Sequence, residues 1–443
     1  MLSCLLFLYT FGICQCLQRP LVIGHRGTAY LPELTLASQS MAHAYGADII
    51  EIDVCLSRDN QLIVIHDIYL DGVTNVGDVY PNRNRSDGLN YVIDFDLDEL
   101  RRLNIHERVR PLNGTQVYPL RFPSKSKVPF HLSTLNETIE LLYGLNRATG
   151  RQRQLLIEIK KPEYHSKYNK SISSIVLATL NAYNLTRSSD PIIVQTFHIE
   201  ELMYIRKDLG SQLRLFALMT WNDIQESSSD YDFYRSEVGI KNLSEIVQGL
   251  APNHQLVVDY DVNGAIVRTT NLTKWAHQYN LSVYPYTFRQ DLFSGSRFEE
   301  LVKYFWNTVQ VDGFITDHPD VRKPGKTDLL DEAIYYKRDE AFERPVEIIN
   351  RPIIKDTIFM PDRKVPPLAT AREMYTVSPE PRPTVYTTTS NAPPSASFSL
   401  IRALGLNADC PCWAWICIVF GFILLLGLIG MCLYFILERE GYL

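Results

Sequence analysis

The chain has 443 residues, 46% of them hydrophobic and 21% charged, a length that allows two or three folded units. Its 44 Lys and Arg against 50 Asp and Glu leave a formal charge of −6, too mild for a nucleic-acid binder or an acidic solvating tail. Of the eight cysteines only Cys55 lies between residues 17 and 409, which excludes a disulfide-stapled scaffold.

In chain order, residues 1–16 are expected to be a signal peptide. The run 2–14 is apolar and uncharged, too short to cross a bilayer, and Cys14-Gln15-Cys16 offers small residues for cleavage. Residues 17–349 form the globular body. A stalk follows at 350–408, where prolines alternate with Ser and Thr from about residue 361 and no core can be built. The uncharged run 413–437, within an expected transmembrane helix at 409–437, spans a ~30 Å hydrocarbon core at ~1.5 Å per residue. A six-residue tail, 438–443, remains for the cytoplasm. The expectation is a single-pass type I protein of the plasma membrane or cell surface, with its folded body outside. Asn-x-Ser/Thr acceptors at Asn84, Asn113, Asn136, Asn169, Asn184, Asn242, Asn271 and Asn280 agree with passage through the secretory route.

Within the body, apolar or alternating runs recur at 21–25, 48–54, 155–160, 192–196, 213–219, 256–259 (or 249–252 just before it), 282–287 and 312–316, with helical stretches between them. Strands alternating with helices imply parallel pairing, and eight such strands predict an α/β fold, a closed (β/α)8 TIM barrel. The run 62–66 follows the second strand after too short a break for a crossover and predicts an antiparallel return. If Ser57 pairs with Leu62, Asp53 pairs with His66 and the histidine arrives beside the carboxylate. A small insertion domain, about 67–128, comes next, with a helix start at Asp96 and Glu99 and no charge constellation of its own.

Strand alternation puts Glu51 and Asp53 on one face and Ile50, Ile52 and Val54 on the other; Glu158 and Lys160 repeat the pattern against Ile157 and Ile159. Buried carboxylates need a partner or a metal. Three of them at the C-terminal rim of neighbouring strands, with no cysteine nearby, describe a site for a hard cation, Ca²⁺ or Mg²⁺. The competing arrangement is an internal salt-bridge network in which Lys160 and Arg26 neutralise the acids. His25 and His66 approach from two sides as a general base and general acid, and Arg26 adds a phosphate clamp, a set suited to cleaving a phosphate ester. Cys55 reads as a packed thiol of outward or hairpin parity.

These residues resemble a known family. His25-Arg26-Gly27, Pro32-Glu33-Leu34-Thr35, Gly46-Ala47-Asp48, Glu51-x-Asp53, His66-Asp67 and Glu158-x-Lys160 are similar to motifs of the glycerophosphodiester phosphodiesterases. The stretches 93–99, Tyr284-Pro285-Tyr286-Thr287 and Gly313-Phe314-Ile315-Thr316-Asp317 look like the larger bacterial periplasmic type. The resemblance implies a barrel with an insertion after His66-Asp67 and hydrolysis of deacylated phospholipids, such as glycerophosphocholine, to sn-glycerol 3-phosphate and an alcohol. It implies that His25 and His66 are catalytic, that Arg26 and Lys160 contact the phosphate, and that Glu51, Asp53 and Glu158 hold one divalent cation, Ca²⁺ ahead of Mg²⁺. Leu34 departs from the family's polar residue and is expected to alter hydrogen bonding around Glu33. Alternative readings are a phospholipase acting on lysophospholipid or phosphoinositide, and a non-catalytic surface binding module.

Overall fold

A computed structural model describes residues 20–111, 113–261, 265–292 and 297–320. The expected signal peptide, stalk, transmembrane helix and cytoplasmic tail lie outside these residues. Among the described helices none is long and apolar enough to cross a membrane.

Eight parallel strands build the sheet: β1 (Leu21–Gly24), β2 (Ile49–Leu56), β4 (Gln154–Ile159), β5 (Ile192–Thr196), β6 (Arg214–Met219), β7 (Gly249–Pro252), β10 (Ser282–Val283) and β11 (Gly313–Thr316). Their order is β10-β7-β6-β5-β4-β2-β1-β11. The two ends meet through backbone hydrogen bonds, Asp312 N–H to the Val283 carbonyl at 3.0 Å and Ile315 N–H to the Pro285 carbonyl at 3.0 Å, and the circuit closes as expected of a (β/α)8 barrel. Of the two runs considered for the sixth barrel strand, 249–252 is the one in the barrel. The other contributes β8 (Val258–Tyr260), which pairs with β9 (Ile266–Thr269) in a separate two-stranded sheet.

Alternation along each strand sorts side chains into two cores. Ile50, Ile52, Val54, Ile157, Ile159 and Val194 point outward and pack under the helices. Ile23, Ile49, Leu156, Ile193, Phe216, Ala251, Tyr284 and Ile315, one from each strand or its immediate extension, fill the lumen. Two residues further along those same strands come His25, Glu51, Glu158, Gln195, Leu218, Asn253 and Tyr286, all of which line one cavity at the C-terminal rim, and Asp317 beside them. An apolar floor thus carries a polar ring, the arrangement that the strand period of two dictates.

The return strand β3 (Leu62–Val64) pairs antiparallel with β2, one residue out of the expected register. Leu56 faces Leu62 and Val54 faces Val64, so Asp53 stands opposite Ile65, whose N–H donates to the Asp53 carbonyl at 3.1 Å. The cause is a tighter turn: Ser57 N–H reaches the Gln61 carbonyl at 3.0 Å, and Asn60 takes a positive φ of 61°, leaving a three-residue loop. His66 therefore lies just past the pairing and reaches the site through its side chain. Cys55 shares the parity of Glu51 and Asp53, which rules out the outward alternative and leaves the hairpin one. It is a packed thiol, buried with Ile63, Ile65, Leu70, Val73, Val92 and Phe95 in the core of the insertion.

Gly249 shows how tightly the floor is filled. A Cβ there would lie 2.7 Å from the Phe216 ring, which is stacked on Tyr284 at 5.0 Å and cannot retreat. Gly249→Ala is expected to destabilise the protein by about 1–3 kcal/mol through overpacking, read as a lower urea midpoint with an unchanged slope. A midpoint equal to the wild type would show that the lumen yields.

Candidate active site

Each sequence-predicted site residue reaches the rim of the barrel. Glu51, Asp53 and Glu158 bring ligand oxygens within 4.8 Å of one another. The register that pairs Asp53 with Glu158 across β2 and β4 puts two carboxylates on the same rung. His25, Arg26, Glu51, His66, Glu158 and Lys160 all line a cavity of about 240 Å³.

The acids are only partly neutralised by protein groups. Lys160 Nζ donates to Glu158 Oε1 at 2.6 Å and stands 3.6 Å from Asp53 Oδ1. Arg26, held at a left-handed φ of 54°, turns its backbone N–H onto Glu51 Oε2 at 2.7 Å and places its Nε 3.6 Å from Asp53 Oδ2. This is the salt-bridge network the sequence suggested, and it is incomplete. Glu51 Oε1 and both Asp53 oxygens are buried without a hydrogen-bond partner. Burial, with Asp53 and Glu158 adding repulsion, pushes the Glu51 carboxyl well above the usual range, and burial pushes Glu158 up to about 7 against the pull of Lys160. For Asp53, burial is outweighed by the cationic groups around it and the carboxyl is held low. Buried carboxylate oxygens with no donor, in a site without sulfur, are what a hard divalent cation requires. The residues present fit the cation.

The two histidines are built alike. His25 Nδ1 lies 2.5 Å from Asp317 Oδ1, and His66 Nδ1 lies 2.6 Å from Asp67 Oδ1. With Nδ1 committed to a carboxylate, the Nε2 edge of each ring is the one left for the cavity. His66 Nε2 is 3.1 Å from Lys160 Nζ. Burial holds both imidazoles below their ordinary value, His66 at about 4.

A second tier of charge, which sequence reasoning did not assign, holds these groups in place. Asp317 Oδ2 accepts from Arg121 at 2.6 Å and from Arg289 at 3.0 Å. Glu33 receives both Arg26 Nη1, at 3.2 Å, and a two-pronged contact from Arg108, whose Nε is 3.0 Å from Oε2. Arg108 also binds Asp67 Oδ2 at 2.5 Å. Arg108 and Arg121 both belong to the insertion, which therefore does carry a charge constellation. It is invisible in sequence because its acids, Glu33, Asp67, Asp291 and Asp317, lie far along the chain from the arginines they meet. Asp317 had a usable signal, its inward parity two residues after Ile315. Leu34, the departure from the family pattern, is buried in the outer core at a positive φ of 63°, and its N–H donates to the Arg26 carbonyl at 2.9 Å. The hydrogen bonding of Glu33 runs through Arg26 and Arg108 instead.

For Glu33, burial is outweighed by Arg108 and Arg26; for Asp67, by His66 and Arg108; for Asp317, by His25 and the two arginines. All three carboxyls sit below their ordinary values of 4.5 and 3.8. Their contribution to stability is fully present above about pH 4.5 and is lost as pH falls through the depressed folded values. Arg108→Met leaves Glu33 and Asp67 short of a partner. It is expected to cost about 3–5 kcal/mol at pH 7 and to move the acid-unfolding midpoint, followed by circular dichroism, to higher pH. An unmoved acid limb would show that Arg108 does not hold these acids.

Comparison with known proteins converges on one family. Residues 25–321 match the model of the glycerophosphoryl diester phosphodiesterase family. A glycerophosphodiester phosphodiesterase of Haemophilus influenzae is 33% identical over 320 residues, covering 68% of this chain and 88% of its own length. One from Treponema pallidum is 30% identical over 330 residues, covering 70% and 92%. A crystal structure from Silicibacter pomeroyi, assigned to the same family, superposes with a TM-score of 0.53 at 22% identity, covering 71% of this chain and 93% of that one, and supports the barrel. The chain belongs to the glycerophosphoryl diester phosphodiesterase family.

Proposed function

We propose that the protein is a cell-surface hydrolase that cleaves glycerophosphodiesters, the water-soluble remnants of deacylated phospholipids such as glycerophosphocholine, to sn-glycerol 3-phosphate and an alcohol. The observation that carries this reading is the convergence on one cavity of two kinds of group. One is a trio of acids with buried, unpaired oxygens; the other is a pair of histidines each oriented by its own aspartate.

Glu51, Asp53 and Glu158 would hold one divalent cation, Ca²⁺ ahead of Mg²⁺. When bound, it would offset negative charge on the phosphodiester and on the transition state. The remaining work falls to the chain itself. Arg26 and Lys160, both cationic and both on the cavity wall, attract and orient the phosphate. Their own acids, Glu33 and Glu158, fix where the charges sit, so little reorganisation is needed as charge develops. His25 and His66 divide the proton transfers. A neutral imidazole takes the proton of the attacking oxygen at Nε2, its Nδ1–H stabilised by the aspartate behind it, and the other ring, protonated at both nitrogens when the step begins, gives its Nε2 proton to the departing alkoxide. Removing either aspartate would free the ring to rotate or change tautomer.

Location is part of the same proposal. The apolar segments at both ends of the sequence support a type I membrane protein, and so do the eight glycosylation acceptors: every one of those asparagines is exposed on the folded body. None lines the catalytic cavity, so glycans on them would leave the mouth open.

Release of sn-glycerol 3-phosphate from glycerophosphocholine is expected with added Ca²⁺ and is expected to stop with chelator. Asp53→Ala should abolish it, and His25→Ala or His66→Ala should lower kcat by about 10²–10⁴-fold. Full activity of Asp53→Ala in chelator would remove the cation from the mechanism, and wild-type rates from either histidine variant would remove the acid-base pair. A folded, cation-loaded protein that turns over lysophosphatidylcholine and leaves glycerophosphocholine intact would transfer the reading to a phospholipase.

A further inference from the structure

The wall of the catalytic cavity contains one more buried oxygen without a partner. Gln195 lies on β5 directly beside Glu158 of β4 in the sheet register. It stands two residues above Ile193 of the apolar floor, so its side chain enters the ring that also holds Glu51 and Glu158, and it lines the same cavity. The residue is 1% exposed, and its Oε1 accepts no hydrogen bond.

Packing does not require an amide here. On the neighbouring strand β6, the residue two positions above the floor's Phe216 is Leu218, which fills its place in the ring with hydrocarbon. Burying an amide oxygen with no donor is costly, and an aliphatic residue of similar volume would remove the cost. The unpaired buried side-chain oxygens of this ring and of Asp53 beside it are Glu51 Oε1, both Asp53 oxygens and Gln195 Oε1. The first three belong to the acids that fit a cation. An amide carbonyl oxygen is a hard, neutral donor of the kind Ca²⁺ collects in its six to eight ligands, whereas Mg²⁺ keeps a compact octahedron largely of water and carboxylate.

We propose that Gln195 is a fourth protein oxygen donor to the cation, through its Oε1, and that it biases the site toward Ca²⁺ over Mg²⁺. The inference rests on the cation reading above and extends it from three acids to a mixed set of three acids and one amide. The added ligand brings no charge, so it raises coordination number without adding to the repulsion among Glu51, Asp53 and Glu158. It also assigns a role to β5, which otherwise contributes no polar group to the chemistry of the ring.

The test is direct titration of the full-length protein with Ca²⁺ and, separately, Mg²⁺ by calorimetry, with no substrate present. Gln195→Met preserves volume and removes the oxygen, while Gln195→Glu keeps an oxygen at the same reach. Gln195→Met is expected to weaken Ca²⁺ binding by at least about tenfold and Mg²⁺ binding by less than about threefold, narrowing the preference between them. Gln195→Glu is expected to bind Ca²⁺ at least as tightly as the wild type. Thermal melts in chelator establish that the variants fold; should Gln195→Met fail that control, Gln195→Leu takes its place. Wild-type Ca²⁺ affinity in the variant lacking the oxygen overturns the proposal, and a KM raised alone would then make Gln195 a reader of a substrate hydroxyl. If the wild type itself binds neither cation, the cation reading falls and this inference falls with it.

Discussion

Three carboxylates within 4.8 Å of one another at the mouth of a barrel are a constraint that the surrounding structure must answer. They cannot all ionise unaided in a buried site, and the directions of their pKa values say so: Asp53 is held low while Glu51 and Glu158 are pushed up. Lys160 and the Arg26 backbone supply part of the compensation and stop short of completing it. The unpaired oxygens mark the remaining deficit, which fits a divalent cation. Arg26 and Lys160 both steady the acids and face the cavity, because a buried cationic group paired with one acid still projects its field into it.

The same logic governs the shell outside the acids. Each histidine has an aspartate against its ring, each aspartate has a cation that keeps it ionised when buried, and two of those three cations, Arg108 and Arg121, come from the insertion, Arg289 being the third. Arg108 joins Glu33 to Asp67, and Arg121 joins Asp291 to Asp317, so one small domain sets the orientation of both imidazoles from opposite sides. Chains of buried ion pairs of this kind are poor sources of net stability but strong determinants of geometry, since losing one member leaves an uncompensated charge. The insertion therefore helps to hold the candidate site, although none of its own residues belongs to the predicted set.

Much of the barrel was legible in the sequence because its governing period is two residues and leaves a local signature. Ile-x-Ile-x-Val facing helices, with Glu and Asp between, placed Glu51, Asp53, Glu158 and Lys160 on the inward side, and the structure bears that out. Strand ends and register were less legible. The hairpin slipped by one residue because Asn60 adopts a left-handed φ that its composition permits without demanding. The sixth barrel strand was ambiguous because Gly249–Pro252 is short and carries only Leu250 and Ala251 as its apolar pair. Arg108 and Arg121 were illegible in principle: their partners, Glu33, Asp67, Asp291 and Asp317, are 41 to 196 residues away along the chain, and no periodicity connects them. Gln195 was legible by parity with Ile193. It went unremarked because a single amide on an apolar strand carries no pattern.

The β2–β3 hairpin explains how the insertion and the barrel act as one unit. Its two faces belong to different cores: Val54, Leu56, Leu62 and Val64 pack under the barrel helices, whereas Cys55, Ile63 and Ile65 are buried in the insertion. The strand that carries Glu51 and Asp53 thus runs on past the rim and becomes a wall of the second core. Displacing the insertion would expose the inward face of that strand one step beyond Asp53, and it would withdraw Arg108 and Arg121 at the same time. Burial of Cys55 at 0% exposure, three residues after the barrel's Ile52 at 0%, shows that no solvent gap separates the two cores along this strand. The geometry of the candidate site and folding of the insertion are consequently coupled through eight consecutive buried residues of β2, which is the physical reason that an extra domain can be placed immediately after His66 without loosening it.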